Sequence, residues 1–235
     1  KMPLMWETGG NITPSDTKNA ANELLCEGFY VGGAGNVTFQ TRSAPDADVA
    51  ATATVAITNY ANIVAGTHTI ALVASDGTTI TATADASATT ISDTNSPTFA
   101  IGTNNLSTAT NLALCLNANS KISASVTYQG NSSGSGPGGA EITITQATAG
   151  SAGNTDITVT DPGDSGISAK NFTGGEDSLT TLTGLNAGQQ LAVDIKYVMS
   201  TGTTATNLIW LAVKGVKGRS IQYNNKGYNP GVVYI

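Results

Sequence analysis

The chain has 235 residues, a net charge of −6 and only 11% charged side chains, against 40% hydrophobic ones. That hydrophobic content excludes a disordered chain, and the acidic balance gives no electrostatic footprint for nucleic acid. Thr, Ala, Gly, Asn and Ser take the place of charge, so the surface is polar through hydroxyls and amides and costs little to desolvate on assembly.

Residues 1–16 read as an arm, with Met5 and Trp6 as apolar anchors and Gly9, Gly10 and Pro14 opposing regular structure. Residues 17–27 fit either a short helix capped by Ser15 or Asp16 or an extended lead-in. Phe29-Tyr30-Val31 and residues 37–41 flank a glycine-rich stretch and predict a hairpin. Gly32, Gly33 and Gly35 lack the Lys-Ser/Thr and following helix of a phosphate loop, so they read as a turn.

Composition shifts at Ser43-Ala44-Pro45. From there to Asp177 the chain holds eleven acidic residues against Lys121 and Lys170, while the remainder holds eight basic and five acidic ones. This asymmetry predicts two modules. Alternation predicts strands over 49–59, 67–74 and 78–84, with Ser75-Asp76-Gly77 as a hairpin turn. Further strands are expected at 99–102, 122–128, 141–146, 155–160 and 167–172. Residues 108–117 have helical spacing of Leu112, Cys115 and Leu116, with Ser107 as the N-cap.

Leu191, Val193, Ile195 and Tyr197 alternate with Ala192, Asp194 and Lys196, as in a half-buried strand. The run 208–213 is apolar on both faces, as in a central strand. The two predict a hairpin whose core includes Ile195, Ile209 and Leu211. After it, Lys214, Lys217, Arg219 and Lys226 come without an acid, interleaved with Tyr223, Tyr228 and Tyr234. With so many glycines, this tail suits a protein neighbour better than nucleic acid.

Catalytic chemistry is poorly represented. His68 is the only histidine, and its alternating context reads as a surface strand position. One His and two distant Cys make no zinc site. Asp156, Asp161, Asp164, Glu176 and Asp177 are oxygen donors of the type calcium uses, but without EF-hand spacing. No catalytic residue, metal site or cofactor is therefore assigned. Cys26 and Cys115 lie in different elements and read as buried free thiols. No apolar stretch is long enough to span a membrane, and the start lacks the apolar core of a signal peptide.

Two segments carry a resemblance. LLCEGFYVGGAGNVTFQT, preceded by Thr13-Pro14-Ser15-Asp16, resembles the opening of the spike-base proteins on the heads of tailed phages and gene transfer agents. LTGLNAGQQLAVDIKYVMSTGTTATNLIWL, with its TGTTAT turn after an alternating strand, resembles the close of the same domain. The two matches cover residues 13–41 and 182–211, and this chain differs from that family in carrying residues 43–177 between them. The intervening LNAN, ITITQATAGSAGNTDITVTD and ISAKNFTGGED resemble a small β-rich module of phage tail and head-decoration proteins.

The expected fold is mainly β: a sandwich or jelly-roll-like base module from residues 1–45 and 178–235, and an inserted β-rich module with one short helix from 46–177. What the resemblance implies is a virion protein assembled in the host cytoplasm and held on the capsid surface. Its expected partners are further copies of itself (five favoured, three the alternative) and the major capsid protein or other virion proteins. A host-surface glycan is a further candidate partner. Trp6, Tyr30, Lys214, Lys217, Arg219, Tyr223, Tyr228 and Tyr234 are the candidate interface residues.

Overall fold

A computed structural model describes residues 6–24, 26–128, 139–162 and 166–213, with side chains for 9–24, 26–127, 139–162 and 166–212. The protein is mainly β and sandwich-like, with several antiparallel sheets and, among the described residues, a single α-helix. The backbone divides into two compact units, Ala47–Asp177 and the pair Lys1–Asp46 with Ser178–Ile235. They are called the central and terminal units below.

In the central unit the strands are β4 (Thr52–Ile57), β5 (Thr69–Val73), β6 (Thr79–Asp85), β7 (Thr98–Ala100), β8 (Ile122–Tyr128), β9 (Ala140–Gln146), β10 (Ile157–Thr160) and β11 (Ile167–Thr173). They form two four-stranded sheets, β10-β5-β6-β7 and β11-β4-β9-β8. Inward positions alternate with Thr and Ser outward, so Val55, Ile57, Ile70, Leu72, Ile80, Ile142 and Ile144 meet in one core at 0% exposure. Each such side chain contributes roughly 1.5–3 kcal/mol relative to remaining in water. The β5–β6 hairpin turns at Gly77 (φ +83°), with Thr78 N–H donating to Asp76 Oδ1 at 2.9 Å.

Helix α1 (Asn105–Asn117) buries Ala109, Leu112, Cys115 and Leu116 against that core. Its N-cap is Asn104, not Ser107. Asn104 accepts from Ser107 N–H at 2.8 Å, and Ser107 Oγ accepts from Asn104 N–H at 3.1 Å, a reciprocal capping box. Asn105 then fixes the helix start, donating to Thr58 O at 3.2 Å and accepting from Tyr60 N–H at 2.8 Å.

The terminal unit holds β1 (Trp6–Asn11), β2 (Gly28–Gly33), β3 (Gly35–Thr41), β12 (Thr180–Leu185), β13 (Gln190–Leu191), β14 (Ile195–Val198) and β15 (Thr206–Val213). One sheet is ordered β1-β15-β2-β13 and the other β12-β3-β14. Phe29, Val31 and Leu208 of the first share a core with Val37, Phe39, Ile195 and Val198 of the second. The Phe29 and Phe39 rings lie 6.2 Å apart.

Several expectations are corrected here. Residues 29–41 are not a hairpin, because β2 and β3 belong to different sheets and the chain arches between them. The arch comes close to the end of the 200–205 turn, where a Cβ on Gly35 would meet Ala205 N at 2.4 Å. The alternating stretch 191–197 is likewise two strands, β13 and β14, one in each sheet, so 191–213 is not a hairpin either. Ile195 is in the core. Leu211 is buried as expected, Ile209 is only half-buried, and Leu208 with the half-buried Trp210 packs on the Phe29–Phe39 core.

The arm is a strand over Trp6–Asn11 rather than irregular, because its glycines make room for β15. A Cβ on Gly10 would meet the Trp210 indole Nε1 at 2.6 Å, so the bare backbone is what lets the ring lie there. Residues 17–24 form turns and an extended lead-in, not a helix. No helix among the described residues is long and apolar enough to cross a membrane.

Candidate assembly surface

Of the candidate interface residues, Trp6 and Tyr30 fall among the described ones. Trp6 pairs with Val213 at the backbone in the β1–β15 ladder. Tyr30 is half-buried in β2, opposite Ile209 of β15 on one side and Gln190 of β13 on the other. Lys214, Lys217, Arg219, Tyr223, Tyr228 and Tyr234 lie outside the described residues.

The described cations of the terminal unit are engaged within it. Arg42 pairs with Asp194 and donates to Cys26 O at 3.3 Å. Lys196 pairs with Asp46 at 3.0 Å and lies 5.4 Å from the Tyr197 ring centre, and Lys18 donates to Asp46 O at 2.8 Å. The hydrogen bond with Lys196 holds the Asp46 carboxyl below its ordinary range, and the same bond raises Lys196.

The 200–205 turn is the hub of this unit, and its partners were not foreseen. Asp16 accepts from Ser200 Oγ at 2.6 Å, Thr201 N–H at 2.9 Å and Thr201 Oγ1 at 2.8 Å. These bonds, the Ser200 hydroxyl first, pull the Asp16 carboxyl down to about 2. Thr203 Oγ1 accepts from Thr38 N–H at 3.0 Å and Thr204 Oγ1 from Asn36 N–H at 2.8 Å. Asn36 Oδ1 in turn accepts from Gly184 N–H at 3.0 Å. The hydroxyls of the TGTT sequence therefore join the arm to β3, which explains why the turn is written in threonine, and the Asn36 side chain extends the connection to β12.

His68 is a correction: it is buried at 1% exposure, not on a surface strand. Its Nδ1 accepts from Val64 N–H at 3.0 Å, which places the ring proton on Nε2, 2.6 Å from Asp161 Oδ1. Asp161 Oδ2 accepts from Gly166 N–H at 2.8 Å and Ile167 N–H at 3.2 Å. Both ring nitrogens are thus committed, and the pair ties the start of β11 to the loop before β5.

The described acidic residues considered for calcium do not gather as a ligand set. Asp156 accepts from Asn171 at 2.6 Å, Asp177 from Ser151 N–H at 3.0 Å, and Glu176 pairs through its backbone with Val49. Asp164 lies outside the described residues. Among the described residues no three His, Cys, Asp or Glu side chains gather as a metal site. Cys26 and Cys115 are free and buried, and burial raises their thiols to about 11 and about 12.

Hydroxyls dominate the outer faces of the central unit. Thr160, Thr69, Thr83 and Thr98 stand directly opposite one another across four strands. On the other sheet Thr173, Thr52, Thr145 and Ser123 make a second such row. No protein-family model, curated protein or solved structure matches this chain.

Proposed function

We propose that this chain is a virion structural protein without enzymatic activity, a capsid decoration or head spike/fibre-base subunit on the phage head surface. It works by stable association with itself, in five copies or alternatively three, and with the major capsid protein or other virion proteins. It is assembled in the host cytoplasm and needs no cofactor, nucleic acid or membrane. The observation that supports this most is the meeting of the two spike-base-like segments. Residues 13–41 and 182–211, far apart in sequence, fold into the same compact unit.

The test is sedimentation with shells assembled from the major capsid protein of the genome that encodes the chain. The reading expects saturable co-sedimentation at a fixed number of copies per shell. A chain that stays in the supernatant at all concentrations would contradict it.

A second reading is a receptor- or carbohydrate-binding module on a phage fibre or bacterial adhesin, favoured by the threonine row Thr160-Thr69-Thr83-Thr98. Hydroxyl and methyl groups in a row can meet a polysaccharide without charge. Glycan-array binding lost on Thr69→Val with Thr83→Val would support it, and binding unchanged by that pair would count against it.

A further inference from the structure

Every strand at the edge of a sheet carries backbone N–H and C=O groups that need partners. Most edges in this chain have one. Beside β7, Thr90 N–H donates to Thr98 O at 2.9 Å and Thr89 Oγ1 accepts from Ala100 N–H at 3.0 Å. On β8 the Asn117 amide replaces a strand, accepting from Ala124 N–H at 2.8 Å and donating to Ala124 O at 2.5 Å. β10 and β11 meet each other, with Phe172 N–H on Thr155 O at 2.9 Å. β14 is covered by the lead-in, through Ser15 N–H on Val198 O at 2.9 Å, Leu24 N–H on Lys196 O at 2.6 Å, and Ile195 N–H on Cys26 O at 3.1 Å.

Apart from β13, which is only two residues long, two edges of the terminal unit differ, one in each of its sheets: β12 and β1. The direction of their groups can be worked out. Thr38 N–H goes to Thr203 Oγ1 at 3.0 Å and Thr38 O accepts from Met199 N–H at 2.9 Å, so Thr38 faces away from β12. Thr181, directly opposite Thr38, therefore turns its own N–H and C=O outward. On β1, Ile12 N–H donates to Leu208 O at 2.8 Å, so Gly9 and Asn11 turn theirs away from β15. No described residue bonds the outward groups of Thr181, Gly9 or Asn11. β12, sequence TTLTGL, carries neither charge nor proline, the usual guards of an edge.

We infer that the β12 edge of one copy pairs with the β1 edge of the next, joining terminal units head to tail. The inference rests on the self-association reading above and names its contact. A second copy is the occupant because one head-to-tail contact satisfies both open edges. A twofold β12–β12 contact leaves β1 open. Contacts of this heterologous kind form a ring when the rotation between copies closes, the arrangement a five- or three-copy base requires. The strands of 29–41 and 191–213 do not serve: β2, β3 and β15 are interior, β14 is covered, and β13 is only two residues long.

The test uses the full chain and proline to delete one outward N–H at a time. Thr181→Pro blocks the β12 edge and Asn11→Pro the β1 edge, while Thr181→Val keeps the amide as a control. Light scattering should give a closed oligomer for the wild type and T181V, and monomers for T181P and N11P, each with a retained cooperative melt. An equimolar mixture of the two proline variants should give dimers and nothing larger, since only one pair of intact edges remains.

An oligomer unchanged in either folded proline variant would overturn the edge assignment and leave the self-association reading standing. A wild type that is monomeric at every concentration would remove that reading itself. Where a proline variant does not fold, hydrogen exchange of the wild type decides. Thr181 and Asn11 amides protected only at assembling concentrations support the contact, and amides equally exposed at all concentrations overturn it.

Discussion

Asp16 contributes to the acid sensitivity of the terminal unit. Three donors from Ser200 and Thr201 favour the charged form and pull its carboxyl from an ordinary 3.8 down to about 2. A group depressed in this way contributes its stability above its unfolded value and loses it as pH falls through the folded one. The Asp16 contribution is therefore present above the ordinary 3.8 and is lost progressively as pH falls through about 2. Denaturant midpoints measured from pH 5 to 2 should fall less steeply for Asp16→Asn than for the wild type. Identical pH profiles would mean the clasp contributes nothing.

His68 is the corresponding pin of the central unit. His68→Ala empties a side chain that is 1% exposed and leaves Val64 N–H and Asp161 Oδ1 without their partner. The expected cost is roughly 2–4 kcal/mol in guanidinium unfolding. A loss under about 0.5 kcal/mol, the scale of a surface substitution, would contradict the buried geometry. Neither role was legible in the sequence. Asp16 and His68 each act on a partner far along the chain, and no local spacing encodes such a pair. Free thiols at Cys26 and Cys115 were legible, and burial raises both. The folded protein should resist a thiol reagent at pH 8 and yield two thiols after denaturation without reductant, whereas an intact chain yielding none would show a bridge.

At the scale of elements, the central strands were legible because Thr/Ile and Thr/Ala alternation maps directly onto outward and inward faces. The helix was found but started three residues late. Its leading turn, Asn105-Leu106-Ser107, is polar at two positions and hides the period, while Asn104 rather than Ser107 supplies the cap. Asn104→Ala should cost about 1 kcal/mol in the melt of the central unit. No change on removing the cap would refute the assigned helix start. The terminal unit misled for a physical reason. Leu191, Val193 and Ile195 pack on a single core, although the first lies in one sheet and the last in the other. Alternation reports which side chains point inward; it does not report which strand lies alongside. The same holds for Phe29 and Val31 against Val37 and Phe39, which face each other across the sandwich instead of lying side by side in a hairpin.

For the whole molecule, the composition change at Ser43-Ala44-Pro45 lies beside the structural division at Asp46 and Ala47. The candidate surface was less legible. Aromatic and basic residues drew attention to Tyr30 and the tail, but an unpaired strand edge is a property of topology. β12 carries no residue that would mark it in the sequence. The central claim is that the terminal unit is the assembling part and carries the central unit as an insertion. The chain enters and leaves the central unit side by side, with Val49 and Glu176 exchanging hydrogen bonds of 2.8 and 3.1 Å, so a short linker can replace residues 47–177. The most direct measurement is the solution mass of the full chain beside that of the chain with this replacement. The same number of copies in both is the result expected, and a full-length oligomer that becomes a folded monomer when residues 47–177 are removed would contradict it.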